Sequence, residues 1–155
     1  MKKRLLFALL LLLTIFWLAV IFGFSDQSGT ESGGLSRLIA EPVTNFLIRL
    51  SGELSADEQA TLYMKVDGAV RIAAHFTEYA ILGMLLTLLC QMIHLNWMWI
   101  PWVIGTLYAV TDEWHQSFSP GRTSDPRDVV IDSLGVLCGI VLTQLLKKIW
   151  REKHV

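Results

Sequence analysis

The first apolar run of the chain limits most strongly what this sequence can fold into. From Leu5 to Phe24 there is no charged residue, and the run has about the 20 residues that a helix needs to cross a bilayer. A secretory signal peptide is the alternative, but its apolar part is shorter and ends at a cleavage site of small residues. We therefore expect a retained membrane-spanning helix here.

Further apolar runs predict three more spans. With the first, the predicted spans cover about residues 5–24, 71–93, 97–113 and 128–147. The hydrophobic content of 53% and the positive mean hydropathy exceed what a soluble core of this size needs. The sequence thus predicts an all-α integral membrane protein with four transmembrane helices, forming a single domain over residues 1–155.

Basic residues at both ends of the chain predict its orientation. They are Lys2, Lys3, Arg4, Lys147, Lys148, Arg151 and Lys153. Such clusters suit the cytoplasmic face of a bilayer, and they do not indicate a nucleic acid partner. We expect both termini in the cytoplasm, with residues 25–70 and 117–128 outside.

The predicted external loop, residues 25–70, divides into a linker and two short amphipathic helices. Ser25–Gly34 is small and polar, which favours a flexible linker. Apolar residues at helical spacing then predict a helix on the outer membrane surface; they are Ile39, Val43, Phe46, Leu47 and Leu50. Ser55 and Glu58 form a capping-box pattern that begins a second helix. These helices either cover the spans or serve a binding role.

Polar residues at the outer ends of spans two to four predict one shared pocket. His75, Glu78 and Tyr79 lie at i, i+3 and i+4, so a helix shows them on one face. A charged group at the centre of a membrane helix costs about 2.5–3.5 kcal/mol, which makes scattered placement unfavourable. The candidate pocket residues are His75, Glu78, Tyr79, Asp112, Glu113, Gln116, Arg122, Ser124, Asp128 and Asp132.

The loop over residues 118–128 brings a cation to these acids. Pro120 and Gly121 favour a tight turn that lays Arg122 back towards the carboxylates, with hydroxyls at Thr123 and Ser124. Asp125 before Pro126 is a plausible helix cap. Three interpretations of these polar residues stay open. They form a buried ion-pair network in which Arg122 pairs with Asp112 or Glu113, or His75 acts as a base, or His75 is a ligand in a divalent metal site.

The same residues resemble a known family. Residues 74–83 read Ala-His-Phe-Thr-Glu-Tyr-Ala-Ile-Leu-Gly, and Asp112–Gly135 contains Asp-Glu-Trp-His-Gln followed by Phe-Ser-Pro-Gly-Arg and further Asp residues. Both segments are similar to the VanZ-like family, small bacterial membrane proteins named after an accessory teicoplanin-resistance protein. Ile72 and Asp132 stand where Lys and Asn are frequent, so the pocket is more acidic here. The resemblance implies a bacterial plasma membrane and an association with resistance or the envelope, but no particular reaction.

Two classes of function follow as hypotheses. In the first, the pocket binds a lipid-linked envelope precursor or an amphiphilic glycopeptide, with Arg122 on an anionic head group. In the second, His75, Glu78, Asp112 and Glu113 act as acid and base, or hold a divalent metal, in an enzyme that acts on a phosphate or ester of an envelope lipid. The cysteines Cys90 and Cys138 lie in apolar runs and lack zinc-type spacing.

Overall fold

The computed structural model describes residues 1–122 and 124–153, and every regular element in these ranges is a helix. The helices are α1 (Lys2–Ser25), α2 (Gly29–Ser51), α3 (Ala56–Met92), α4 (Trp99–Gln116) and α5 (Pro126–Glu152). The predicted all-α class is confirmed.

The prediction of four transmembrane helices is wrong in number. Among the described residues, three helices are long and apolar enough to cross a membrane: α1, α3 and α5. The run predicted as a span over residues 97–113 forms α4, which has only 18 residues and ends in a polar turn with Asp112, Glu113 and Gln116. These polar residues offset the apolar ones before them, so α4 falls short of a candidate span.

Contacts of α1 show that it runs in the same direction as α4. The hydroxyl of Tyr108 donates to the carbonyl of Leu18 at 2.8 Å. Further along both helices, the hydroxyl of Ser25 donates to the carbonyl of Asp112 at 3.4 Å. The indole of Trp17 donates to the carbonyl of Glu78 in α3 at 2.9 Å. The consecutive residues Trp17 and Leu18 of α1 are thus bonded to two different helices.

Contacts of α5 show that it runs parallel to α3 and antiparallel to α4. His75 lies near Asp132, and the ammonium of Lys147 donates to the side chain of Gln91 at 2.9 Å. Thr106 of α4 contacts Ser133 of α5, whereas Glu113, later in α4, contacts Asp125 before α5, so α4 runs the other way and returns the chain to the end where α5 begins. The described chain therefore starts and finishes at one end of the bundle. The other end, which holds Ser25, His75, Asp112 and Asp132, is called the polar end below.

Glycines allow α3 and α5 to approach backbone to backbone. A Cβ atom on Gly83 would collide with the carbonyl of Val136, and one on Gly139 would collide with the carbonyl of Ala80. Gly135, one turn before Gly139, faces the carbonyl of Phe76 in the same way. Small residues four apart are a common device for close packing of membrane helices. The core around this contact consists of Ile21, Tyr79, Leu82, Leu86, Ala109, Val136 and Ile140.

The structure corrects the prediction for residues 25–70. Helix α2 begins at Gly29, inside the segment predicted as a flexible linker, because Ser28 and Glu31 form a capping box. The Ser28 hydroxyl lowers the pKa of the Glu31 carboxyl by hydrogen bonding to it. Ser55 and Glu58 form the second, predicted box, but the helix it begins is α3, which continues without a break past His75. Two short amphipathic helices are therefore not confirmed.

Candidate functional site

A cavity of about 840 Å³ opens at the polar end, between α1, α2, α3 and the segment that joins α4 to α5. Its lining includes six of the residues predicted from the sequence; they are His75, Glu78, Asp112, Gln116, Arg122 and Asp128. They come from α3, α4, α5 and the segment after α4. The middle of α3, the last turn of α4 and the first turn of α5 thus contribute polar side chains to one space.

The remaining predicted residues lie behind or beside the cavity. Tyr79 has no exposed surface and belongs to the core, and Asp132 is only 1% exposed behind His75. One carboxylate oxygen of Glu113 accepts the backbone N–H of Asp125, so Glu113 holds the start of α5. Ser124 is exposed in the segment before α5, and Thr123 lies outside the described residues.

His75 connects the cavity with the buried carboxylate of Asp132. Its Nδ1 atom lies 3.4 Å from Oδ1 of Asp132, and the His75 side chain is 18% exposed. Apart from this contact, neither oxygen of Asp132 has a hydrogen-bond partner among residues 1–122 and 124–153. The imidazole is therefore the polar group through which the cavity reaches Asp132.

Asp112 is held by side chains on its own helix and on α3. The residue is 4% exposed, and its Oδ2 atom accepts from the Gln116 amide at 3.3 Å. The buried hydroxyl of Tyr79 in α3 faces the same carboxylate. Asp112 thus lies at the boundary between the core and the cavity that it lines.

Arg122 is placed by a turn and by the end of α1. Its backbone N–H bonds to the carbonyl of Ser119 at 3.2 Å across Pro120 and Gly121, and Gly121 has a φ of +74°. The predicted tight turn is present. One guanidinium nitrogen donates to the carbonyl of Phe24, in the last turn of α1, at 3.1 Å.

The ion-pair network proposed as a structural alternative is not formed. Among the ion pairs of the described residues, none joins Arg122 to Asp112 or Glu113. The guanidinium bonds to a backbone carbonyl instead, and it lines the cavity beside the carboxylates. Arg122 therefore keeps N–H groups for another acceptor.

Sequence reasoning missed the wall that α2 contributes. Ser36 of α2 donates to the carboxylate of Asp67, and Asp67 also accepts from Arg71 at 3.0 Å. Arg71 lines the cavity, and this network ties α2 to α3. The i, i+4 spacing of Asp67 and Arg71 was a readable signal. The contact of Ser36 with Asp67 was not predictable, because the sequence favours a flexible linker up to Gly34 and does not indicate that Ser36 lies inside a helix that begins at Gly29.

Apolar side chains of α1, α2 and α3 also line the cavity, and together they are called the apolar wall below. The apolar lining residues are Ile21, Phe24, Leu35, Leu38, Ile39, Val70 and Ile72. Leu38 and Ile39 are 72% and 57% exposed, so this wall continues onto the outer surface of α2. Ile72, one of the departures from the family pattern, therefore extends the apolar side of the cavity.

Within residues 1–122 and 124–153, no group of three or more His, Cys, Asp or Glu side chains is arranged to hold a metal ion. Cys90 is buried, Cys138 is half-buried, and both are free thiols. The polar groups at the cavity are a histidine beside a buried carboxylate, a second, partly bonded carboxylate and a guanidinium with open donors.

A family model described as VanZ/LLP1 matches residues 10–147, which is most of the chain. No curated protein and no solved structure matches the chain. The matched range includes α2, all the polar lining residues of the cavity and the glycine contact between α3 and α5.

Proposed function

Since the chain belongs to the VanZ/LLP1 family, we propose that it serves in the bacterial envelope by binding an amphiphile in the cavity at the polar end. The amphiphile is a lipid-linked envelope component or an amphiphilic glycopeptide, and its binding raises tolerance to teicoplanin-type antibiotics. The polar head group lies against His75, Asp112 and Arg122, and the apolar part lies along Leu35, Leu38 and Ile39.

The observation that carries this proposal is that polar and apolar side chains line the same cavity. Ligand sites commonly have volumes of about 300–1,000 Å³, and an amphiphile needs both kinds of surface within one space. The cavity has a volume of about 840 Å³, and the apolar wall leads to exposed residues of α2. A water-soluble ligand would gain little from that wall, whereas an acyl or prenyl chain gains the burial of its methylene groups.

The proposal includes an orientation in the plasma membrane, with both termini in the cytoplasm and the polar end outside. It is supported by the basic residues at both ends of the chain, which the bundle brings to one end.

We expect single cysteines to report this orientation. In a protein with Cys90→Ala and Cys138→Ala, a cysteine at the exposed position Thr30 should react with a membrane-impermeant maleimide on whole cells. A cysteine at the exposed position Arg151 should react only after the cells are opened. The opposite pattern, with position 151 labelled from outside and position 30 protected, would place the cavity on the cytoplasmic side.

Filling the cavity tests the binding proposal directly. Gly68 lines the cavity, and a Cβ atom added to it meets nothing within 4 Å. We expect Gly68→Phe to fold normally and to lower the binding of a photoreactive amphiphile about tenfold or more, because the ring occupies ligand space. The measurement is crosslinking of the purified protein, followed by mapping of the labelled peptides.

The matched control is Gly34→Phe in α2. Gly34 is exposed, does not line the cavity, and also has nothing within 4 Å of an added Cβ. Crosslinking should stay at the parent level in this variant. Equal crosslinking of the parent and Gly68→Phe, with both folded, would exclude the cavity as the amphiphile site.

A specific observation favours an enzyme as the second candidate. Asp132 lies 3.4 Å from Nδ1 of His75, which is the arrangement in which a carboxylate orients a histidine that takes up a proton. On this proposal His75 activates water or a hydroxyl against a phosphate or ester of an envelope lipid. Lipid extracts incubated with the parent protein and with His75→Gln discriminate the two candidates: a product formed only by the parent favours the enzyme, and an unchanged extract favours binding alone.

A further inference from the structure

Glu78 and Arg122 line the same cavity but do not pair with each other. Both residues are half-buried, and their charges are close enough to interact. No ion pair joins them among the described residues. The guanidinium bonds instead to the carbonyl of Phe24 at 3.1 Å. A carboxylate that accepts hydrogen bonds and a guanidinium that donates them are thus both open to one space.

Two uncharged side chains of the cavity are open in the same way. Gln27 and Ser32 line the cavity and are half-buried. Neither side chain has a hydrogen-bond partner within residues 1–122 and 124–153. An amide and a hydroxyl each donate and accept. The cavity therefore offers both donors and acceptors to a single ligand.

This mixture of open groups disfavours a head group that only donates or only accepts. An ammonium has donors alone, so it leaves the open N–H groups of Arg122 without an acceptor. A phosphate has acceptors alone, and by itself it brings further negative charge towards Glu78 and Asp128, which both line the cavity. A hydroxyl does both, so it can accept from Arg122 while it donates to Glu78.

We propose that the head group of the amphiphile carries vicinal hydroxyls, as a sugar or a glycerol does, and that these hydroxyls bind between Glu78 and Arg122. This inference rests on the proposed function, because it names the head group of the same ligand. Arg122 has more than one open N–H group, so an anionic group next to the hydroxyls can bind to it as well.

The test measures the binding of four lipids to the purified full-length protein by native mass spectrometry. Glucosyl diacylglycerol has hydroxyls and no charge, and its per-O-methylated form keeps the oxygen atoms but cannot donate. Phosphatidylglycerol has two hydroxyls and a phosphate, and phosphatidylmethanol has the phosphate alone. The first pair differs by added bulk and the second by removed bulk, so a loss of binding in both pairs reports the hydroxyls and not the size.

We expect the hydroxylated lipid of each pair to bind about tenfold more tightly than its partner, because hydrogen bonds to the charged groups are lost without the hydroxyls. The two hydroxylated lipids then identify the source of the head group. Tighter binding of phosphatidylglycerol assigns it to a phospholipid, and tighter binding of glucosyl diacylglycerol assigns it to a glycolipid.

Variants of Glu78 assign the preference to its carboxylate. Glu78→Leu has no acceptor and should reduce the preference for the hydroxylated lipids to about twofold or less. Glu78→Gln keeps a neutral acceptor and should reduce it to about threefold, so the test survives if the leucine variant fails to fold. Glu53→Leu is the matched control, because Glu53 is exposed and does not line the cavity, and it should leave the preference unchanged.

The outcomes separate this inference from the proposed function. If all four lipids bind equally and Gly68→Phe still blocks them, the hydroxyl inference is overturned and the amphiphile site stands. A full tenfold preference in folded Glu78→Leu or Glu78→Gln also overturns the inference, since the hydroxyls then bind elsewhere. If none of the four lipids and no photoreactive amphiphile binds, both proposals are overturned.

Discussion

Membrane abundance should fall about fivefold or more when Gly139 is replaced by leucine. A Cβ atom at this position would collide with the backbone carbonyl of Ala80, and an added side chain therefore has to separate α3 from α5. Overpacking of a well-packed core costs about 1–3 kcal/mol when neighbours can adjust, and here the neighbour is backbone. Losses of this size change the cellular abundance of a marginally stable protein several-fold.

Gly23→Leu is the control for this experiment. Gly23 lies in α1, is exposed, and has nothing within 4 Å of an added Cβ atom. The variants are compared by immunoblot of membranes and by size-exclusion chromatography in detergent. If Gly139→Leu matches Gly23→Leu in both measurements, the close contact between α3 and α5 is not a requirement for folding.

Arg122→Lys should remove glycopeptide tolerance while the protein stays in the membrane at its normal level. Lysine can still donate to the carbonyl of Phe24, so the turn after α4 keeps its contact with α1. It cannot present two parallel N–H groups to an anionic head group, which makes the substitution non-conservative at a binding site. The measurement is the minimal inhibitory concentration of teicoplanin in cells that express each variant, alongside an immunoblot of their membranes.

Arg127→Lys provides the matched control. Arg127 is exposed in the first turn of α5 and does not line the cavity. Tolerance equal to the parent is expected. A parental level of tolerance in Arg122→Lys as well would contradict the assignment of Arg122 to the head group, and loss of the protein from the membrane would assign Arg122 a structural role.

The positions of the apolar helices were predictable because uncharged runs of sufficient length are explicit in the sequence. The status of α4 was harder to predict, since Asp112, Glu113 and Gln116 were read as the outer end of a span when they lower the hydropathy of the whole helix. The clustering of polar residues from three helices followed from the cost of burying them separately, although those of α3 lie in the middle of the helix and not at its end. Their exact partners did not follow, because Arg122 bonds to the carbonyl of Phe24, a group that no residue pattern marks.

Helix α2 shows why local composition is a poor guide to the structure of residues 25–51. Glycines and serines before Ser36 suggested a linker, although Ser28 and Glu31 have the same capping spacing that was recognised at Ser55 and Glu58. The apolar wall of the cavity depended on this helix. The apolar wall also depended on the tertiary contact between Ser36 and Asp67, which joins residues 31 positions apart in the chain. Nothing local in the sequence indicates such a pairing.

The two hydrogen bonds from Trp17 and Tyr108 determine the rotational phase of α1. Helix α1 is apolar around most of its circumference, and only Thr14, Ile21 and Ser25 are buried, so hydrophobic contact alone would allow it to turn about its axis. The indole of Trp17 donates to α3, and the carbonyl of Leu18 accepts from Tyr108 of α4, so consecutive residues of α1 are bonded to two different helices. A rotation of one residue, about 100°, would break both bonds and carry the carbonyl of Phe24 away from Arg122. The rotational position of the apolar helix α1 thus determines the geometry of the polar cavity at its end.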